Sequence, residues 1–389
     1  MTQARAGQSN LKILLVSLAG IGDTLLATPL LRALREQLPQ AQIDALVMWA
    51  GSRDLLEGNP RVNTVHYQHL LRESHVQNLR FLWGVRRQGY DLSINTYPQG
   101  KIQYRITARL INARRRLSHY YENRHLWDDW LVTDAIEQDY HVHCIENNLN
   151  FLPLIGLKKN PSLQTGTSGP DSQLSTLNSQ LSLDCEIYFP AGELTWAEEF
   201  ARAHHLAQKQ VLGLHVGSGK TKNLIHKRWP LDHYLALGRA LLAAYPELVI
   251  LLFGGPDEQA DNEALLQQLQ SNRVLRVISR TIKQGVAVLR HCQVFLSVDN
   301  VFMHLAAAMK VPRQIVIESP TFNQTIEPYH RPFRLVRNPM VAGRNLDYYR
   351  YDGRDIQGGR EHLLACMRSI TPDMALEAVR EALDLNEAD

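Results

Sequence analysis

The sequence lacks the patterns of several common protein classes. Its 389 residues include only four cysteines, which lie far apart and form no C-x-x-C pair, so neither a disulfide framework nor a thiolate zinc site is indicated. Such cysteines are typical of reduced thiols in a cytosolic protein. The apolar stretch over residues 13–31 is interrupted by glycines, Asp23 and Pro29, which argues against a signal peptide or a membrane span. The net charge of +3 is too small to indicate nucleic-acid binding.

Motifs for metal and nucleophile chemistry are also missing. There is no D-x-D pair of the kind that holds a metal on a nucleotide diphosphate, and no G-x-S-x-G or catalytic cysteine signature. The segment HVHC at 141–144 offers ligand atoms without a second ligand cluster at zinc spacing. The sequence therefore predicts neither a bound metal nor a covalent enzyme intermediate.

What the sequence does contain is an alternation of strand and helix patterns in two blocks. The first block predicts a doubly wound α/β domain over residues 11–157, and a Ser-, Thr-, Asn- and Gln-rich stretch predicts a linker at 158–185. The alternation resumes over 186–370 as a second α/β domain. Residues 371–389 predict a C-terminal helix, with Thr371 as its N-cap, that could pack back on the N-terminal domain.

Residues 18–29, LAGIGDTLLATP, form the turn from the first strand into a helix, where α/β proteins often bind phosphate. The dinucleotide fingerprint G-x-G-x-x-G is incomplete, because Leu25 stands at its third glycine. The carboxylate of Asp23 would also compete with pyrophosphate for the helix N–H groups. Two roles for Asp23 remain open: it caps the helix, or it acts as a base toward a neutral hydroxyl.

The segment GSGKT at 217–221 resembles the end of a Walker A loop. Position 214 is leucine where that motif requires glycine, so an ATPase loop is not predicted. What remains is a strand end with small residues, followed by four cations that could hold a diphosphate: Lys220, Lys222, Lys227 and Arg228.

Two further strand ends open into helices, FGGPDE at 253–258 and LSVDN at 296–300. In a doubly wound domain such turns line the ligand crevice, and the carboxylates of Glu258 and Asp299 suit ribose hydroxyls. His304 is either a core residue or a ligand contact, and its apolar neighbours by themselves favour the core.

Cations alternate with aromatic residues over positions 101–124. This segment is either a solvated basic helix or a surface for an anionic partner, such as a phosphorylated glycolipid at an inner membrane leaflet. The cations are Lys101, Arg105, Arg109, Arg114, Arg115 and Arg116.

Several stretches, taken in order, resemble glycosyltransferase family 9, the bacterial heptosyltransferases of lipopolysaccharide core assembly. They are KILLVSLAGIGDTLLATPLLRALREQLPQAQIDALV with its G-D-x-L and T-P-L elements, KRWP at 227–230, FGGPDE, the turn from Asp299 to His304 with LAAAM, SPT at 319–321 and the tail CMRSIT. The resemblance covers nearly the whole chain. It implies the α/β GT-B architecture, in which two Rossmann-like doubly wound domains face each other across a cleft, the first binding the acceptor and the second the nucleotide sugar.

The resemblance also implies an inverting, metal-independent transfer of heptose from ADP-heptose to an inner-core acceptor. Asp23 is then the general base, and Lys227 neutralises the leaving diphosphate. The implied donor-binding residues are Gly217, Ser218, Arg228, Glu258, Asp299, Asn300 and His304. The implied acceptor-binding residues are Gly22, Thr24, Lys101, Arg105, Arg115 and Arg116. The expected partners are the nucleotide sugar, as a substrate rather than a cofactor, and a phosphorylated lipid A/core glycolipid, for a cytoplasmic protein with peripheral contact at the inner membrane.

Two positions depart from the family pattern in the donor half. A small hydroxyl residue and a glycine usually follow the donor-domain aspartate, whereas Asn300 and Val301 follow it here, and the usual Y-G-P-T is Glu318–Thr321. Valine does not easily take a glycine-type backbone conformation, so the sequence indicates the reaction class more firmly than the identity of the donor. Three alternatives stay open: a protein acceptor, an NAD-dependent oxidoreductase with two Rossmann-like domains, and a non-catalytic protein that binds sugar nucleotides.

Overall fold

The computed structural model describes residues 11–124, 126–159 and 183–385. The chain divides into two compact units after Glu186, one residue beyond the boundary predicted between linker and second domain. Most of the predicted linker, residues 160–182, and the last four residues of the predicted C-terminal helix lie outside the described residues.

The N-terminal unit contains a six-stranded parallel sheet in the order β3–β2–β1–β4–β5–β6. Its strands are β1 (Lys12–Ser17), β2 (Gln42–Val47), β3 (Thr64–Tyr67), β4 (Leu92–Asn95), β5 (Arg115–Tyr120) and β6 (Asp134–Glu137). Its α-helices are α1 (Ile21–Leu26), α2 (Thr28–Gln37), α3 (Ala50–Leu56), α4 (His75–Arg86), α5 (Ile102–Ile111), α6 (Asp128–Leu131) and α7 (Cys144–Leu149).

The central strand β1 is buried on both of its faces. Its successive residues from Ile13 to Ser17 are all buried, which is the pattern of a parallel sheet covered by helices on both sides. On one face Leu14 and Val16 pack with Leu82 and Val85 of α4. The run from Ile13 to Val16 is therefore apolar at every position because both faces of the strand are covered.

The C-terminal unit has a second six-stranded parallel sheet, in the order β12–β11–β10–β7–β8–β9. Its strands are β7 (Gln210–His215), β8 (Leu248–Phe253), β9 (Val274–Arg276), β10 (Val294–Val298), β11 (Arg313–Ile317) and β12 (Phe333–Val336). Its α-helices are α8 (Ala191–Ala203), α9 (Leu231–Ala244), α10 (Gln259–Leu269), α11 (Ile282–Val288), α12 (Val301–Ala308), α13 (Asn345–Tyr348), α14 (Arg360–Arg368) and α15 (Pro372–Asp384). Short 3-10 helices occupy Pro153–Ile155, Leu206–Gln208, Thr221–Lys227 and Leu289–His291.

The last helix, α15, packs within the C-terminal unit. The predicted cap is confirmed, because the Thr371 side chain accepts a hydrogen bond from the N–H of Met374. The sequence suggests that this helix packs on the N-terminal domain, but the structure places its Ala378, Val379 and Leu383 in the core formed by the second sheet and α9. These side chains lie on one face at helical spacing, so a single apolar surface determines where the helix binds. None of the described helices is both long and apolar enough to cross a membrane.

Both sheets reverse their strand order at one point, between β1 and β4 in the first and between β7 and β10 in the second. Open parallel sheets bind ligands in the crevice outside the carboxyl ends of the strands at this reversal. Each unit therefore presents one such crevice, and the segments that follow β1, β4, β7 and β10 line them.

A glycine in β7 gives the first test of this packing. A Cβ atom on Gly213 would lie 2.6 Å from the ring of Phe295 and 3.0 Å from the sulfur of Cys292. We expect Gly213→Ala to lower the free energy of unfolding by about 1–3 kcal/mol, because a buried ring has to move. Urea unfolding measures this, with Gly192→Ala as the control, since Gly192 is exposed in α8 and has open space around it. Equal stability of the two variants would contradict the prediction.

Candidate functional site

Polar residues collect at the carboxyl edge of the second sheet. β7 ends at His215, β10 ends just before Asp299 and Asn300, and β11 ends shortly before Ser319. Because parallel strands end at the same edge, segments distant in sequence meet there, and Asn300 donates a hydrogen bond of 3.0 Å to the carbonyl oxygen of Gly217. This edge is the crevice at the strand-order reversal.

The centre of this edge is a buried ion pair between Lys227 and Asp299. The Lys227 ammonium donates to a carboxylate oxygen of Asp299 at 2.7 Å, to the backbone oxygen of Asp299 at 2.5 Å and to the hydroxyl of Thr321 at 2.9 Å. Ser319 and Thr321 donate to the same carboxylate. All three ammonium hydrogens therefore have acceptors, and both carboxylate oxygens are occupied. Asp299 thus holds Lys227 in place, and its side chain is only 1% exposed.

Asn300 joins the ends of β7 and β10. Its carbonyl oxygen caps α12 by accepting from the N–H groups of Phe302 at 2.8 Å and Met303 at 3.3 Å. Its amide donates to the carbonyl of Gly217 and to a ring nitrogen of His215, each at 3.0 Å. Asparagine suits this position because its side chain provides both the acceptor for the helix N–H groups and the donor for Gly217 and His215.

His215 is a site residue that the sequence did not identify. Its Nδ1 accepts from the Gly217 N–H at 3.3 Å and from Asn300, so the proton belongs on Nε2, which lies 3.8 Å from the Glu258 carboxylate. The ring stacks on Phe302 with centroids 4.3 Å apart. Burial lowers the pKa of His215 to about 3, with a smaller contribution from the Arg228 charge, so the ring is neutral. Its place as the last residue of β7, before the small residues 217–219, was the available signal.

Glu258 lies over the loop that follows β7. It accepts hydrogen bonds from Arg228 at 3.1 Å and from the Gly255 N–H at 3.0 Å. A Cβ atom on Gly217 would fall 2.2 Å from its carboxylate, so glycine is required by this close approach. Burial raises the pKa of Glu258 above its usual range, against smaller opposing effects of the Gly255 N–H and the Arg228 charge.

The segment between β7 and α9 folds over the same edge. Lys222 and Asn223 have φ angles of 57° and 58°, in the left-handed region that costs a non-glycine residue about 1 kcal/mol or more. The hydroxyl of Ser218 holds this bend by donating to the carbonyl of Leu224 at 2.8 Å. Arg228 anchors its end through Asp261 at 3.0 Å.

The N-terminal crevice contains Asp23 and Lys101. Asp23 lies in the first turn of α1, whose N-cap residue is Gly20. Lys101 immediately precedes α5, on the segment that follows β4. Both side chains are partly exposed, and Lys101 forms no ion pair with any residue in the described part of the chain. A carboxylate and a cation thus lie at the ends of the two strands between which the order reverses.

The model of glycosyltransferase family 9 (heptosyltransferase) matches residues 79–349, well over half of the sequence. The chain belongs to glycosyltransferase family 9. It is 26% identical over 298 residues to lipopolysaccharide heptosyltransferase 3 of Escherichia coli, covering 75% of this chain and 78% of that protein. It is 24% identical over 396 residues to lipooligosaccharide heptosyltransferase 2 of Haemophilus ducreyi, covering 96% and 99% of the two chains.

The fold of this family 9 member matches a solved heptosyltransferase. The Escherichia coli ADP-heptose lps heptosyltransferase II superposes with a TM-score of 0.64 at 20% identity, covering 97% of this chain and 100% of that one. The expected fold class, α/β with two Rossmann-like domains of the GT-B type, is thereby confirmed. As a family 9 member the protein is a glycosyltransferase.

The structure brings the residues predicted for the donor together. Ser218, Arg228 and Glu258 are linked by hydrogen bonds, because Arg228 donates to the Ser218 carbonyl at 3.1 Å and to Glu258. Gly217, Asp299, Asn300 and Lys227 are connected as described above. His304 lies in the first turns of α12, where burial and, secondarily, the Lys227 charge lower its pKa to about 3. Its imidazole forms no hydrogen bond with a described residue, unlike that of His215.

Several of the residues predicted for the acceptor instead have partners inside the N-terminal unit. The buried hydroxyl of Thr24 bonds to those of Ser17 at 3.0 Å and Ser52 at 2.8 Å. Arg105 is 1% exposed and its guanidinium pairs with Asp128, also 1% exposed, at 2.8 Å. Both side chains are buried and have partners within the unit, so neither is placed to contact an acceptor.

Arg115 and Arg116 are also engaged by protein groups. Arg115 pairs with Asp134 at 2.7 Å, and Arg116 donates to the carbonyls of Leu131 at 3.0 Å and Ala113 at 2.9 Å. The segment 101–124 is therefore neither one solvated helix nor one continuous basic surface, because it contains α5 and β5. Of the predicted acceptor residues, Gly22 and Lys101 remain at the crevice.

The change of family pattern after Asp299 does not strain the backbone. Val301 begins α12 and does not occur among the residues with positive φ. The turn is made by Asn300 in an extended conformation with φ of −151°, so Val301 does not need a glycine-type conformation. Among the described residues, no group of three or more His, Cys, Asp or Glu side chains is placed to hold a metal ion.

The neutral histidines of this site predict how stability depends on pH. His215 and His304 have a folded pKa of about 3, below the value of 6.5 expected in the unfolded chain. Below about pH 6.5 the unfolded chain binds more protons than the folded protein does. Acidification from about pH 7 to about pH 5 should therefore lower the free energy of unfolding by about 2 kcal/mol per histidine. Urea unfolding at both pH values measures the loss, and His304→Gln should reduce it. An identical pH dependence in wild type and variant would refute this.

Proposed function

We propose that this protein transfers heptose from ADP-heptose to a lipopolysaccharide inner-core acceptor, with inversion at the anomeric carbon and without a metal ion. The observation that carries the proposal is the Lys227–Asp299 pair at the strand-order reversal of the second sheet. It places a cation where such sheets bind nucleotides, in a member of a heptosyltransferase family. One similar protein of known structure is named as an ADP-heptose enzyme.

The donor diphosphate needs a cation because negative charge develops on it as the glycosidic bond breaks. Lys227 supplies this charge, and its position is set by Asp299 and Thr321. His304 is neutral beside it and has ring nitrogens available for a phosphate or ribose oxygen. Ser218 places a backbone N–H group at the same edge, as phosphate-binding loops do, whereas the Gly217 N–H donates to His215.

The transfer itself is a single displacement. An acceptor hydroxyl oxygen attacks the anomeric carbon, the bond from that carbon to the ADP oxygen breaks, and the hydroxyl proton moves to the Asp23 carboxylate. A positioned base contributes about 10²–10⁴-fold to such a step. A single displacement gives inversion, since the nucleophile enters opposite to the leaving diphosphate.

The acceptor is proposed to be a phosphorylated glycolipid. Lys101, at the same crevice as Asp23, has no carboxylate partner among residues 11–124, 126–159 and 183–385 and can bind a phosphate of the inner core. Gly22, in α1 next to Asp23, adds no side chain beside the base, which would favour the approach of a sugar ring.

Calorimetric titration with ADP, UDP, GDP and NAD in the presence of EDTA tests the donor assignment. We expect ADP to bind selectively without metal, because Lys227 and the loop N–H groups supply the positive charge. Preference for UDP or GDP would keep the reaction class and replace the donor, whereas selective NAD binding would overturn the proposal in favour of an oxidoreductase. Loss of ADP binding in EDTA, restored by Mg²⁺, would contradict metal independence.

Substitution of Asp23 tests the proposed base. We expect Asp23→Asn to lower kcat for heptosyl transfer about 10²–10⁴-fold, because an amide cannot accept the hydroxyl proton. The KM for ADP-heptose should change little, since Asp23 lies in the other unit from the donor residues. Glu36→Gln, an exposed carboxylate on the next helix, is the matched control. Undiminished transfer by Asp23→Asn would exclude this role.

A further inference from the structure

The N-terminal unit exposes large apolar side chains on three neighbouring helices. α4 packs against α5, and α5 packs against α6. The exposed side chains, here called the Trp83–Trp130 surface, are Leu79, Trp83, Ile106, Leu110, Trp127 and Trp130. The three tryptophans are 60%, 69% and 63% exposed in chain order, half of the six tryptophans of the protein. Tryptophan side chains this exposed are unusual unless they mark a binding surface.

This surface is a second apolar face on helices that already bury one. In α4, Leu82 and Val85 enter the core, whereas Leu79 and Trp83 lie four residues apart on the outer side. In α5, Ala108 and Ile111 are buried, whereas Ile106 and Leu110 are exposed at the same spacing. Core packing therefore does not account for the outer apolar residues.

Arginines join the exposed rings into one continuous surface. The guanidinium of Arg86 lies 5.3 Å from the ring centroid of Trp83 and donates at 3.3 Å to the carbonyl of Leu110. The guanidinium of Arg109 lies 4.9 Å from the ring centroid of Trp130. These contacts run from α4 across α5 to α6, so the apolar side chains form one patch.

The charge of this region is strongly positive. Residues 74–131, which contain α4, α5 and α6, include ten lysines and arginines and four acidic residues (Asp91, Glu122, Asp128 and Asp129), an excess of six positive charges where the whole chain carries +3. Asp91 is paired with Arg114 at 3.2 Å, and Asp128 with the buried Arg105. In the part of the chain that the structure describes, Arg80 and Arg87 of the outer α4 surface form no ion pair.

We infer that the Trp83–Trp130 surface binds the face of an anionic phospholipid bilayer, so that the protein lies on the membrane with α4, α5 and α6 toward the lipid. Tryptophan is favoured at the boundary between head groups and acyl chains, and arginine is attracted to anionic head groups. Tryptophan and arginine are also enriched in protein interfaces, but the excess of positive charge around this surface favours an anionic bilayer.

Vesicle co-sedimentation of the full-length protein tests this inference. We expect binding to vesicles of phosphatidylcholine mixed with phosphatidylglycerol, weaker binding to phosphatidylcholine alone, and weakening by high salt. Trp83→Ala/Trp130→Ala should lower the partition coefficient about tenfold by removing buried apolar area. Arg80→Gln/Arg87→Gln should lower it about tenfold or more by removing two charges.

Ile278→Ala/Arg380→Gln is the matched control, because it removes an exposed apolar and an exposed basic residue from the other unit and should leave binding unchanged. Tryptophan fluorescence should shift to shorter wavelength on binding, and less so in Trp83→Ala/Trp130→Ala. Equal binding to both vesicle types, or full binding by the tryptophan variant, would overturn the inference. So would a wild-type dimer that the tryptophan variant converts to monomer without loss of vesicle binding, since a second copy would then cover the surface.

The experiment is independent of the proposed transferase reaction. The vesicles contain no lipopolysaccharide and no donor is added, so a failure of vesicle binding says nothing about heptosyl transfer. Conversely, the tryptophan variant should retain transfer to a lipid-free acceptor, because its substituted residues lie outside the crevice of Asp23 and Lys101.

Discussion

The arrangement of the C-terminal site depends on the buried ion pair between Lys227 and Asp299. Taking two charges out of water costs more than their attraction returns unless further hydrogen bonds satisfy both groups. Ser319 and Thr321 provide those bonds, and every ammonium hydrogen has an acceptor. Because the four residues come from three segments, around the starts of α9 and α12 and the end of β11, the pair holds those segments in one arrangement.

The two units use the same strand order but hold their charges differently. In the C-terminal unit the cation and its carboxylate are buried and fully bonded, which fixes their geometry. In the N-terminal unit Asp23 and Lys101 are partly exposed at the corresponding edge, where they can meet a ligand directly. Two of the buried charges of that unit, Arg105 and Asp128, pair with each other instead. Burial and pairing thus fix the position of Lys227 at its edge of the sheet, whereas Lys101 is partly exposed at the corresponding edge.

The sequence predicted the strands and their edge well, because a continuous apolar run flanked by turn residues is typical of a parallel strand buried on both faces. The sequence also predicted that the donor residues lie at one edge of the sheet, since each belongs to a segment that follows a strand. It could not predict that Arg105 is buried, because its partner Asp128 lies 23 residues away and only the folded chain brings the two together. His215 was missed for a related reason. A histidine that ends a strand has no distinctive spacing, and its role appears only once Asn300 and Glu258 are placed beside it.

The same network shows how a donor can enter without breaking the buried pair. Lys227 has no spare N–H, so contact with a diphosphate requires exchange of one of its three hydrogen bonds. Two of these bonds go to uncharged oxygens, and the one to the Thr321 hydroxyl, at 2.9 Å, is longer than the one to the Asp299 backbone oxygen, at 2.5 Å. We propose that a phosphate oxygen of the donor displaces the bond to Thr321. Thr321 and Ser319 continue to donate to Asp299 after that exchange. The carboxylate then stays satisfied while the ammonium turns one N–H to the ligand, so the proposed binding step leaves no buried charge unpaired.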